Sequence, residues 1–146
     1  MAFTGSQICT SFKKELGQAV HNMDTAGDVF KLALYGDTAS IDLATTAYTS
    51  AGEVVGTGYS AGGMTLSNLA ASSATSVSGV QTAFFGWSTA TFSAVTLSCR
   101  GALIYNSSKA NRAVAVIDFG ITIAKTAADL VVQMPVFDAN NALIRI

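Results

Sequence analysis

The chain has 146 residues, enough for one domain that buries its own core without disulfide staples. Eight Lys+Arg against nine Asp+Glu give a net charge of −1, and Lys13-Lys14 is the only adjacent basic pair, which points away from direct nucleic-acid binding. Those 17 charges are 12% of the residues, where ordinary soluble domains have about 25%, while half of the chain is apolar.

The first predicted element is a helix within residues 1–23. Thr4-Gly5-Ser6-Gln7 has the capping-box form, a hydroxyl residue followed three positions later by Gln. Ile8, Phe12, Leu16, Ala19, Val20 and Met23 then recur at spacings of three and four, one apolar stripe. Lys13, Lys14, Glu15 and Gln18 fall off the stripe and read as a solvated face. Gly17 is expected to end the regular helix. His21 reads as a surface or capping residue and Cys9 as a small packing residue in the first turn. Residues 22–27 are turn-forming.

From Asp28 the period changes to two. Phe30, Leu32 and Leu34 alternate with Val29, Lys31, Ala33 and Tyr35, and Gly36-Asp37 stops the strand. Glu53-Val54-Val55-Gly56 reads as a short strand, followed by a glycine-rich turn over residues 58–63. Residues 64–69 resume the alternation, and residues 70–78 read as a loop. The second half predicts strands at residues 80–87, 92–98, 101–105, 113–119, 121–124 and 130–136, with Leu143-Ile144-Arg145-Ile146 available to pair at the end. Asn106-Ser107-Ser108-Lys109-Ala110-Asn111-Arg112 is a polar hairpin connection. Many short strands with frequent turns predict a single mostly β domain over residues 1–146: a helical segment at 1–23, then a β-sandwich at 28–146.

The chemical motifs are weak. Gly58-Tyr59-Ser60-Ala61-Gly62 matches G-x-S-x-G, but that elbow requires a preceding strand, a following helix and a later histidine, and His21 lies upstream. Its glycines read as turn residues. One histidine and two distant cysteines, Cys9 and Cys99, do not supply a tetrahedral metal site, and the acids lack EF-hand spacing. No cofactor, metal or catalytic residue is expected. Phe84, Phe85, Trp87 and Phe92 are spaced as strand residues and read as core. Apolar runs at residues 113–117 and 130–132 are far shorter than the ~20 residues a bilayer helix requires, and Met1-Ala2-Phe3-Thr4-Gly5 lacks a basic signal-peptide start. The expectation is a soluble protein made in a reducing cytoplasm, with no membrane partner.

A monomer of this mass exposes on the order of 7,000 Å², about one charge per 400 Å². Such a thin hydrophilic coat suits a subunit that covers much of itself with neighbours.

Several stretches resemble a family of short virion structural proteins of tailed phages. Ala2-Phe3-Thr4-Gly5-Ser6-Gln7-Ile8-Cys9-Thr10-Ser11-Phe12-Lys13 is similar to its opening, and Phe30-Lys31-Leu32-Ala33-Leu34-Tyr35 to its first strand. Thr46-Ala47-Tyr48-Thr49 and Gly56-Thr57-Gly58-Tyr59 resemble its central segment. Arg100-Gly101-Ala102-Leu103-Ile104-Tyr105-Asn106 and Arg112-Ala113-Val114-Ala115-Val116-Ile117-Asp118-Phe119-Gly120 resemble its hairpin, and Asn141-Ala142-Leu143-Ile144-Arg145-Ile146 its ending. Residues 70–96 depart most. The resemblance implies a virion location, and small capsid cement proteins, often jelly-roll-like sandwiches, are the nearest functional analogues. The expected function is a cement or decoration protein on the capsid exterior that stabilises the major capsid protein shell as a homodimer or homotrimer. The alternative is a head-fibre or tail-fibre module that binds host-surface carbohydrate. Candidate protein contacts are Phe12 and Leu16 on the helix, and Ser107, Ser108, Lys109 and Arg112 at a hairpin tip expected to project.

Overall fold

The computed structural model describes residues 3–146. Met1 and Ala2, which open the stretch read for a signal and for the family resemblance, lie outside them. The chain is mostly β: two antiparallel sheets and one short helix. In chain order the elements are β1 (Gln7–Ile8), α1 (Thr10–Gly17), β2 (Phe30–Tyr35), β3 (Met64–Thr65), β4 (Ser72–Thr75), β5 (Gln81–Phe85), β6 (Ala90–Asn106), β7 (Arg112–Val132) and β8 (Ile144–Arg145). The larger sheet has the order β1-β7-β6-β2-β3 and the smaller β4-β5-β8. Phe85 and Ile144, partners across β5 and β8, pack into the main core and join the two sheets. This strand order fits a sandwich-like arrangement.

The central unit is the β6–β7 ribbon, paired from Ala90↔Val132 to Asn106↔Arg112. Sequence alone divided β6 into two strands and β7 into three. Both are continuous, and β7 ends at Val132 rather than residue 136. A 17-residue strand spans roughly 55 Å at about 3.3 Å per residue, against a radius of gyration of about 15 Å for a domain of this length. Bulges at Phe92/Val95, Val95/Leu97 and Cys99/Gly101 give such a strand places to bend. Gly101, expected to open a separate strand, lies inside β6 and is required by close packing: a Cβ there would stand 2.4 Å from the Ile117 carbonyl oxygen and 2.4 Å from the Phe3 ring.

β2 pairs with the buried half of β6, Phe30↔Asn106 through Tyr35↔Gly101. Here the helix-free alternation gives way to burial on both faces, since Leu32, Ala33, Leu34 and Tyr35 are all fully buried. Phe30, Trp87, Val95, Leu103, Ile104, Val114 and Val116 complete the centre of the core.

Other expectations are corrected locally. The helix spans only Thr10–Gly17: it ends at Gly17 as its glycine suggested, and Ala19 then turns to φ 55°, taking Val20 and Met23 out of it. The Thr4/Gln7 pair does bond, the Gln7 amide donating to the Thr4 hydroxyl at 3.3 Å, but it does not cap α1. Ile8 belongs to β1, and Cys9 is the N-cap residue, without a side-chain capping bond. Residues 53–56 contribute the isolated bridge Tyr35↔Glu53, residues 64–69 the short β3 and the isolated bridge Asn68↔Trp87, and the loop expected at 70–78 contains β4. No helix among the described residues is long and apolar enough to cross a membrane.

Candidate functional site

Phe12 and Leu16 do lie together, one turn apart on α1. Phe12 is fully buried, while Leu16 is half-buried against the core. Both line a groove of about 930 Å³ between α1 and the smaller sheet. Opposite them stand Val80 and Thr82 from β5 and its approach, Ile144 and Arg145 from β8, and Ile146 next to it. Val80 and Ile146 remain 58% and 67% exposed, so the groove has apolar rims as well as an apolar floor.

Behind α1 is a buried polar network that the sequence reading missed. Glu15, expected on the solvated face, is 5% exposed. It stands three residues after Phe12, at the margin of the apolar stripe, and that spacing was the available signal. Its carboxylate accepts from His21 Nε2 at 2.7 Å and from Arg112 Nη1 at 2.5 Å. The His21 side chain is fully enclosed rather than superficial, with its ring 4.8 Å from that of Phe12. Its Nδ1 meets the Asn106 amide nitrogen at 2.8 Å. Asn106, also fully buried, uses its oxygen to accept from Ser108 N–H at 3.0 Å and donates to Asp28 at 2.8 Å. With an amide donor facing Nδ1, the Nε2–H tautomer fits and donates to Glu15. Burial acts on Asp28 to raise its pKa, but the Asn22 N–H, the Asn106 amide and the charge of Lys109 outweigh it, so the carboxyl lies below its ordinary value.

The hairpin tip is therefore held rather than projecting. Ser107 donates its hydroxyl proton to the Val29 carbonyl at 2.8 Å, and Ser108 Oγ accepts from Val29 N–H at 2.8 Å. Lys109 Nζ stands 3.7 Å from Asp28, and Arg112 reaches Glu15. Helix and hairpin, the two elements singled out from sequence, are parts of one braced unit.

Ser60 is exposed in a turn closed by Gly63 N–H donating to the Ser60 carbonyl at 3.0 Å. Gly58, Gly62 and Gly63 all have φ between 72° and 87°, and a Cβ on Gly63 would meet the Leu32 carbonyl oxygen at 1.8 Å. The same loop surrounds Glu53, which accepts from Tyr48 Oη and Tyr59 Oη at 2.6 Å each and from Gly62 N–H at 2.7 Å. Tyr105 donates to the Gly62 carbonyl at 2.7 Å and stacks on Tyr48 at 4.8 Å; Tyr35 donates to the Thr49 carbonyl at 2.5 Å. All four tyrosines of the chain thus fasten this loop to β2 and β6. Burial, reinforced by Glu53, pushes Tyr48 up to about 12 and raises Tyr35, Tyr59 and Tyr105 as well.

Cys9 and Cys99 are free and fully buried, and burial pushes each thiol up to about 11, with Asp42 and Asp37 respectively adding to it. Phe84, Trp87 and Phe92 are buried, as their spacing suggested. Among the described residues no group of three or more His, Cys, Asp or Glu is placed to hold a metal ion. No protein-family model, no curated protein and no solved structure matches the chain.

Proposed function

We propose that this chain is a non-catalytic structural subunit of a tailed-phage virion, a capsid cement or decoration protein that stabilises the shell of the major capsid protein. The observation that carries this reading is its surface. The domain exposes 7146 Å², and of its 17 charged residues Glu15 is buried and adds nothing to that surface. Large apolar side chains stand in the open instead, among them Val55 at 95%, Val77 at 93% and Val136 at 67%. A lone exposed valine is ordinary, but this many on so sparsely charged a surface fits a subunit that is covered by neighbours. Self-association as a dimer or trimer belongs to the same proposal.

The mechanism is clamping. A rigid sandwich whose helix and hairpin are tied by Glu15–Arg112 presents a fixed surface and loses little conformational freedom on docking. A standard contact buries about 800 Å² per partner, and a clamp repeated over a closed shell adds many such contacts. Burial of Trp87, Phe84 and Phe92 weighs against the carbohydrate-binding alternative, which relies on exposed aromatic faces.

Gel densitometry of purified particles that carry this protein tests the reading. A copy number of the same order as the major capsid protein is expected. A handful of copies per particle would place the chain on a tail or fibre, and its absence from particles would end the proposal.

A further inference from the structure

The groove beside α1 has a chemistry that defines its occupant. Its floor and rims are apolar: Phe12, Leu16, Val80 and Ile146 all contribute. Two cations, Lys13 and Arg145, line it, and among the described residues no Asp or Glu side chain does, although acids outnumber bases in the chain. Asp138 feels the charge of Arg145 but does not line the groove, and its carboxylate is engaged by the N–H groups of Asn140 and Asn141. Arg145 donates from one guanidinium nitrogen to the Asn140 carbonyl, which fixes its position at the wall.

The second feature is an open strand edge. In the order β4-β5-β8, β8 is terminal and, among the described residues, has a strand neighbour on one side only. Ile146 exchanges both backbone hydrogen bonds with Ala83. The alternation of an antiparallel ladder then turns the N–H and C=O of Arg145 away from β5. A donor and an acceptor are thus presented between an apolar floor and two positive charges, the pattern that receives an added strand.

We infer that this groove docks an extended, apolar segment flanked by acidic residues, supplied by the protein that the chain clamps, which adds along β8. The inference rests on the clamping reading and gives it a point of attachment. The backbone bonds and apolar floor provide the hold, and Lys13 and Arg145 select the sign of the flanking charges.

The test uses the full chain, isotopically labelled, titrated with a short synthetic peptide of alternating Val and Thr with Glu at each end, and with its twin carrying Lys at each end. Amide shifts at Phe12, Leu16, Arg145 and Ile146 are expected with the Glu peptide, at about tenfold higher affinity than with the Lys peptide. Lys13→Glu should weaken Glu-peptide binding about fivefold. Lys14→Glu, the same charge change one residue outside the groove, should leave it unchanged, and N-methylation of the central peptide bonds should abolish it. Equal affinity for the two peptides, shifts elsewhere, or no shifts at millimolar peptide would overturn the inference. Co-sedimentation with capsid shells is scored separately. Sedimentation without peptide binding rejects the groove and spares the clamp; peptide binding without sedimentation rejects the clamp and spares the groove.

Discussion

Arg112, at the end of the β6–β7 turn, donates from Nη1 to the carboxylate of Glu15, which is buried beneath α1. This contact spans 97 positions of sequence and locks the helix to the hairpin. The two partners are unequal, since the Arg112 side chain is 46% exposed and that of Glu15 only 7%. Arg112→Ala leaves a carboxylate still bonded to His21 and should cost below about 1 kcal/mol. Glu15→Ala strips the enclosed His21 of its acceptor and should cost about 1–3 kcal/mol. Urea midpoints of the two variants decide this, and an Arg112→Ala loss equal to or above that of Glu15→Ala would contradict the asymmetry.

Phe12 is wholly inaccessible and packs on His21. Phe12→Ala should therefore cost about 3–5 kcal/mol, the range for a large ring removed from a core. Equilibrium unfolding measures it. A loss below about 0.5 kcal/mol would show that α1 is not part of the folded core.

Local patterns were legible in sequence where local forces decide. The period-two run over residues 29–35 became β2, which starts one residue later at Phe30, Gly17 ended α1, and the polar stretch after Tyr105 became the β6–β7 turn. What failed was governed by tertiary contact. Cys99-Arg100 read as a junction between two strands, yet β6 runs straight through it, with Gly101 packed where Phe3 leaves no room for a Cβ. Glu15 looked solvated because it is charged, yet His21 and Arg112, from distant positions, supply its partners. The groove had no local signature, since its walls come from residues near both ends of the chain and from the approach to β5.

The tyrosine cluster sets an alkaline limit. Each of the four phenols is raised above its usual value near 10, Tyr48 to about 12, chiefly by burial. The folded state thus holds phenol protons that the unfolded chain releases. The stability so contributed is full below about pH 10 and is lost as pH rises above it. The native protein should show far less of the phenolate ultraviolet band at about pH 10 than the urea-unfolded chain, which shows half of it. A tyrosine titrating near 10 in the native state would contradict the burial of the loop around Glu53.

Asp118 sets a limit in acid. Arg100 Nε bonds to it at 2.8 Å, and the N–H groups of Gly120 and Gly5 donate to it at 2.8 and 3.2 Å. The Arg100 bond above all, with these N–H groups, holds the carboxyl below its ordinary value despite partial burial. A depressed carboxyl contributes stability that is present above the unfolded value near 3.9 and is lost as pH falls through the lower folded one. The difference in urea midpoint between the native chain and Asp118→Asn should accordingly be clear at about pH 7 and shrink below about pH 4. A difference independent of pH would mean that the carboxylate charge is not what Arg100 and the N-terminal segment hold.

The central claim is that apolar burial and backbone bonding, rather than charge, hold this subunit in place, and washing of particles tests it most directly. Raising salt from about 0.1 M to about 1 M shortens the Debye length from about 10 Å to about 3 Å, which weakens exposed ion pairs and leaves buried apolar contact intact. Urea and guanidinium act on the apolar and peptide groups instead. The quantity measured is the amount of this protein that pellets with capsids after each wash. Retention through molar NaCl, with release by moderate urea before the shell itself comes apart, is the expected result. Complete release by salt alone would show that charge pairing holds the subunit on, and would contradict the account.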